Sequence, residues 1–250
     1  MEEEARIFPS LRLHGGFFME QTTLIGVLSI AFCFLVLVTT FRLYFSFFPK
    51  KKYNPTKFIA RVAMFGAFSA ILYVVPIFTV NLPFIPSFLS LHFDEIPAFI
   101  AGFAYGPWCA FAVIGIKTII KLPMTSTLCV GELTDFLLSC VYAGTATFIY
   151  KRKRNLKGVA IGFAASTLLQ VVVAMLLNVY AMIPFYMNLY GINAEGLLAL
   201  MQLANPAIKD VGWSYAFFAV LPFNLIKDAI VVAVTFVVYR SIHKMLRFER

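Results

Sequence analysis

The chain has 250 residues, of which 61% are apolar and only 13% charged, and its mean hydropathy is +0.85. An ordinary soluble domain is about 45–50% apolar and about 25% charged; these residues cannot coat a water-facing surface of this size, so the chain reads as an all-α membrane protein. The net charge of +9 does not describe a nucleic-acid-binding face, because the basic residues sit in short patches beside apolar runs.

In chain order, residues 1–21 are acidic and lack both the basic start and the small-residue cleavage site of a secretory signal. They are expected to form an extracytoplasmic tail. Residues 22–48 are apolar and run into Pro49-Lys50-Lys51-Lys52, which predicts a retained transmembrane helix, with signal-anchor targeting as the competing reading. A second span is expected over 58–80. The segment 81–93 follows as a loop stiffened by Pro83 and Pro86. Residues 95–122 are apolar but interrupted at Gly106-Pro107. Further spans are expected over 132–150, 158–185 and 213–239, with 187–212 as a second long loop carrying an Asn205-Pro206 turn signal.

Fourteen of the 21 Lys and Arg residues fall in three patches, around Lys50–Arg61, Lys151–Lys157 and Arg240–Arg250. Placing all three in the cytoplasm satisfies the positive-inside rule. The N-terminus then lies outside, the C-terminus inside, and the stretch from 80 to 132 begins and ends on the outer side. Its 28-residue apolar part is too short for two perpendicular crossings at about 1.5 Å per residue, so the Gly-Pro break predicts two short helices that dip in and return. Broken helices at membrane depth line cavities, which points to a binding site there.

Ionisable residues in the apolar segments are the other signal, since a charge at bilayer depth costs at least about 2.5–3.5 kcal/mol. Asp94 and Glu95 open the first short helix, Lys117 and Lys121 lie on the second, Glu132 and Asp135 open the next span, and Lys227-Asp228 lies inside the last. Lys117, Lys121, Glu132 and Asp135 can equally pair with one another and fix helix packing. Lys227 follows Asn224 by nearly one turn and can donate to a ligand carbonyl or carboxylate. An ion pair with Asp228 or snorkelling is the alternative, although adjacent residues on a helix diverge by about 100°. Asn178 offers an amide in an apolar run, for a ligand or for a helix–helix hydrogen bond. Ala63, Gly66, Ala67 and Ala70 form two interleaved small-xxx-small pairs, suited to internal packing or to docking of a partner. There is no GxxxxGK[ST] loop and no HExxH, GxSxG or Cys/His nucleophile arrangement. The four cysteines, Cys33, Cys109, Cys129 and Cys140, show no metal or redox spacing. Glu132 and Asp135 are the one pair with spacing for a divalent metal, as in a metal-dependent membrane enzyme.

Three blocks, LHFDEIPAFIAGFAYGPW, IKTIIKLPMTSTLCVGELTDFL and PFNLIKD, in this order and spacing resemble the S components of energy-coupling-factor vitamin transporters, and within them the riboflavin-binding type. The resemblance covers about residues 58–246 and implies a six-helix substrate-binding membrane domain with two short helices, preceded here by the extra 22–48 span. It implies a non-enzymatic subunit with no cofactor and no metal, which captures riboflavin from outside at the cell membrane. It also implies a transmembrane coupling (T) protein and two ABC-type ATPase subunits as partners, in keeping with the missing P-loop. Polar ligand contacts would come from Asp94 or Glu95, Asn178, Asn224 and Lys227, and the small face at Ala63 and Ala67 would meet the coupling protein. Asp228 stands where the riboflavin type usually has Gly. Other readings are the same fold with pantothenate or a thiamin precursor, a metal-dependent enzyme, or a docking scaffold using the extra span.

Overall fold

The computed structural model describes residues 54–248 apart from 87 and 126, with side chains as far as residue 241. The expected tail 1–21, the expected span 22–48 and the Lys50-Lys51-Lys52 patch lie outside the described residues.

Helix α1, Pro55–Val74, begins at Asn54, whose side chain accepts from the Thr56 amide at 3.2 Å. Pro55 takes the first turn, where an absent N–H costs nothing. The helix stops short of the expected residue 80 because Pro76 holds Val75 extended (φ −79°, ψ 119°). A two-residue antiparallel ribbon follows, β1 Val80–Asn81 with β2 Ser90–Leu91. The loop it closes packs Ile85 and Leu91 against Phe223.

Helices α2, Glu95–Tyr105, and α3, Pro107–Lys121, meet at Gly106, whose φ of 104° only glycine adopts without strain. The expected break is there. α2 has 11 residues and so spans about 16 Å, roughly half of a hydrocarbon core. Ten of its residues are buried, which places it in the middle of the bundle, against α1, α3 and α4. α3 is longer than a dipping half-helix needs, because the turn Leu122–Met124 carries it to an 18-residue apolar span.

Helix α4, Val130–Arg152, pairs along its length with α5, which runs Leu156–Leu177, passes through a π turn at Asn178–Met182 and continues as Ile183–Tyr190. The following segment is not only loop as expected: it contains α6, Ala194–Ala204, capped by Asn193, which accepts from the Gly196 amide at 2.8 Å. α6 is too short to read as a span, and only Leu197 and Met201, one turn apart, are buried. α7 opens with the turn Trp213–Tyr215, passes through a second π turn at Ala216–Val220, and continues as Leu221–Phe248.

Among the described residues five helices are long and apolar enough to cross a membrane, with α2 and α6 as shorter apolar helices. Their outer faces expose Ile59, Phe68, Leu168, Val172 and Val237, an arrangement stable in lipid and unfavourable in water. The chain is a predominantly helical membrane protein. An aromatic core sits at the α2–α3 junction side of the bundle, where Phe99 meets Tyr142 edge-on at 4.7 Å and Phe103 meets Tyr150 at 5.0 Å.

Candidate functional site

Because α2 is short and central, its first residues start deep in the bundle. Asp94 and Glu95 are both buried there, at a helix N-terminus whose dipole favours acids. The two acids diverge. Asp94 pairs with Lys117 of α3, and its main-chain carbonyl accepts from Ser69 of α1 at 2.5 Å. Lys117, fully buried, also pairs with Asp135 of α4 at 2.8 Å, donates to Ser139 at 3.1 Å and lies 4.7 Å from the centre of the Tyr73 ring. Two carboxylates, a hydroxyl and a ring face therefore surround one ammonium, which meets the condition for holding charge at this depth.

Glu95 turns the other way. Its Oε1 accepts from Lys227 of α7 at 2.9 Å and from the Ser139 hydroxyl at 3.1 Å. Ser139 thus links both ion pairs, and a continuous polar network crosses α2, α3, α4 and α7. Glu95 Oε2 and Asp94 Oδ1 are buried without a hydrogen bond. Lys227 does not pair with Asp228, whose side-chain oxygens lack any hydrogen bond.

The two asparagines lie in the α5–α7 interface. Asn178 begins the α5 π turn, donates to the Ala174 carbonyl at 2.9 Å and accepts from the Tyr215 hydroxyl at 3.1 Å. Its interhelical reading is therefore present in the structure. The two π turns pack side by side. Such insertions redirect side chains that a regular helix would place elsewhere. Asn224 donates to the Val220 carbonyl at 2.8 Å and accepts from Gln170 at 2.9 Å. Around Tyr215 the rings of Phe88 and Tyr186 gather, with Phe88 5.9 Å from Tyr186 and 6.0 Å from Tyr215. The ribbon loop, the end of α5 and the start of α7 each supply one ring of this group.

Gln170, Ser139 and Tyr215 join this network without having stood out in the sequence. Gln170 carried the clearest signal, as the one amide within the apolar stretch Leu156–Leu177. His92, between β2 and α2, stands 5.2 Å edge-on to Tyr73 and 3.3 Å from the Thr79 hydroxyl. Burial pushes its imidazole below the ordinary value.

The four small residues of α1 separate onto two faces. Gly66 and Ala70 are buried, and a Cβ on Gly66 would come within 3.0 Å of Ile116 Cγ2 on α3. Ala63 and Ala67 are exposed. Glu132 and Asp135 do not converge on a common point: Glu132 accepts from Thr125 at 2.7 Å and Thr127 at 3.1 Å, while Asp135 takes Lys117. Among the described residues no group of three metal-ligating side chains is assembled.

The model of the family described as "ECF transporter, substrate-specific component" matches residues 57–239. The chain belongs to that family. A solved structure described as the S component of a bacterial ECF transporter superposes with a TM-score of 0.62 at 24% identity, covering 77% of this chain and 99% of that one. Its likeness is one of fold. The riboflavin transporter RibU of Staphylococcus aureus is 27% identical over 187 residues, 75% of this chain and 92% of the relative. The riboflavin transporter FmnP of Bacillus subtilis is 23% identical over 196 residues, 77% and 96% respectively. RibU of Lactococcus lactis subsp. cremoris is 24% identical over 183 residues, 70% and 87%. As an S component the chain is a transporter subunit, and membership implies coupling and ATPase partners in general terms.

Proposed function

We propose that this S component captures riboflavin from outside the cell and hands it to an ATP-driven importer. The observation that carries the reading is the buried Glu95–Lys227 pair with its orphaned Oε2, next to an interface that offers amides and rings. An isoalloxazine ring is a flat, largely apolar plate with carbonyl acceptors and ring nitrogens along one edge. Lys227 and the Asn178 and Asn224 amides supply donors for those acceptors, Glu95 supplies an acceptor for a ring N–H, and Phe88, Tyr186 and Tyr215 supply the apolar slot. Relatives named as riboflavin transporters along most of their length support the same substrate. Asp94, held by Lys117 and Ser69, supports the site from behind by fixing where α2 begins.

In this reading residues 58–246 form the substrate-binding domain. The basic patches face the cytoplasm, which puts the ribbon loop, α6 and both π turns on the outer side, where a scavenged vitamin arrives. Ala63 and Ala67, exposed on α1, present a small-residue face to a transmembrane coupling protein, which in turn engages two ABC-type ATPases. Gly66 and Ala70, turned inward, serve helix packing instead.

A thermal-shift screen of the purified protein against riboflavin, pantothenate and thiamin precursors tests the substrate. A ligand at 100 times its Kd stabilises by about 2.7 kcal/mol, so riboflavin alone should raise the melting temperature by several degrees. Stabilisation by another vitamin and not by riboflavin refutes the assignment.

A further inference from the structure

Six buried side-chain atoms lack a hydrogen bond among the described residues, and four of them, Gln170 Oε1, both Asp228 carboxyl oxygens and Thr235 Oγ1, lie on α5 and α7. They share one seam. Asp228 follows Asn224 by four residues, one turn and about 6 Å along the same face of α7, and Asn224 is the residue that Gln170 holds. The amide orientations follow from the chain of bonds. Asn224 spends its NH2 on the Val220 carbonyl, so its oxygen faces Gln170; Gln170 must donate there, which leaves its own oxygen outward. The Thr167 hydroxyl can donate to one Asp228 carboxyl oxygen or to the Tyr142 hydroxyl 3.5 Å away, while Tyr142 donates to the Asp228 main-chain carbonyl at 3.4 Å. Lys227, the adjacent cation, is taken by Glu95. Gln170 Oε1 and at least one Asp228 carboxyl oxygen thus remain unfilled acceptors, with no cation bonded to them among the described residues.

We propose that Asp228 and Gln170 form an acceptor subsite that takes the hydroxyl groups of the ligand's side chain and rejects a ligand carrying an anionic ester there. The inference rests on the riboflavin reading and adds the residues that select between the neutral vitamin and its phosphate ester. A polyhydroxyl chain supplies several O–H donors to acceptors that are otherwise buried and unpaired, and sites of that kind discriminate strongly against analogues that cannot donate. A phosphate brings acceptors and negative charge to a carboxyl group, where both are unfavourable.

Equilibrium titration of the full-length protein with riboflavin, its 5′-phosphate and lumiflavin, which has a methyl in place of the hydroxyl chain, tests this. Wild type should bind riboflavin at least about 100-fold more tightly than the phosphate. It should bind lumiflavin at least about tenfold more weakly than riboflavin, the worth of one hydrogen bond to a charged acceptor. Asp228→Asn keeps the shape but replaces a carboxyl oxygen by an NH2 donor; it should weaken riboflavin about tenfold and leave the phosphate little changed, so that the preference narrows about tenfold. An unchanged preference in a riboflavin-binding Asp228→Asn protein overturns the subsite while leaving the riboflavin reading intact. If that variant does not fold, the wild-type series decides, and lumiflavin binding as tightly as riboflavin overturns the subsite. Wild type that binds no flavin at all sinks the riboflavin reading and this inference with it.

Discussion

Replacing Lys117 by Met removes the only cation that, among the described residues, is bonded to Asp94 and Asp135, and keeps the volume of the side chain. In the wild-type protein the ammonium is fully buried, paired with both carboxylates and bonded to Ser139. Removing one partner of a buried ion pair costs about 3–5 kcal/mol, because the other charge is left uncompensated; here two carboxylates are left. Chains of 150–250 residues lose about 2–4 °C of melting temperature per kcal/mol. The expected loss is therefore roughly 6–20 °C, read by circular dichroism of the protein in detergent micelles. The triple variant Lys117→Met/Asp94→Asn/Asp135→Asn removes the stranded charges and should recover at least half of the loss, since uncharged replacements of buried pairs are often tolerated. A single variant melting within 2 °C of wild type would show that the network carries little of the fold (on the same scale, under about 1 kcal/mol).

Ala63→Leu/Ala67→Leu should leave riboflavin affinity and melting temperature unchanged while reducing co-purification with the coupling protein. Gly66→Leu, which drives a side chain into Ile116, should instead destabilise by about 1–3 kcal/mol. The reverse pattern in pull-down and melting experiments would assign the faces of α1 the other way. Tyr215→Phe removes the hydrogen bond onto Asn178 and should weaken riboflavin binding by about fivefold, near 1 kcal/mol; an unchanged Kd would remove Asn178 orientation from the account. His92 is held neutral by burial, with its folded value below the unfolded one near 6.5. Its contribution is present above that value and lost as pH falls through the folded one. Wild type should therefore lose more melting temperature between pH 7 and pH 5 than His92→Gln, and parallel pH profiles would contradict this.

The spanning helices were legible because apolar runs of membrane length leave few alternatives, and the α2–α3 break because Gly106-Pro107 names it outright. The cluster of buried ionisable residues was legible by type and position. Their partners were not. Lys227 takes Glu95, 132 positions away in sequence, because the short central α2 brings its first turn against α7. Asp228, next to Lys227, points elsewhere, as the 100° step along a helix requires. The π turns at Asn178–Met182 and Ala216–Val220 left no mark in the sequence, since they answer to how α5 and α7 pack on each other. Helix α6 was read as loop because one apolar face of 11 residues falls below any spanning threshold. The small-residue pattern on α1 gave spacing without direction. Only the position of α3 decides that Gly66 faces inward while Ala67 faces out.

Riboflavin capture through Lys227 is the central claim, and titration of wild type and Lys227→Ala with riboflavin by flavin fluorescence tests it most directly. Wild type should bind with submicromolar affinity and the variant at least about 100-fold more weakly, near 2.7 kcal/mol, as expected when a buried charged donor is removed. Equal affinities would take Lys227 out of the site, and wild type that ignores riboflavin would contradict the function itself.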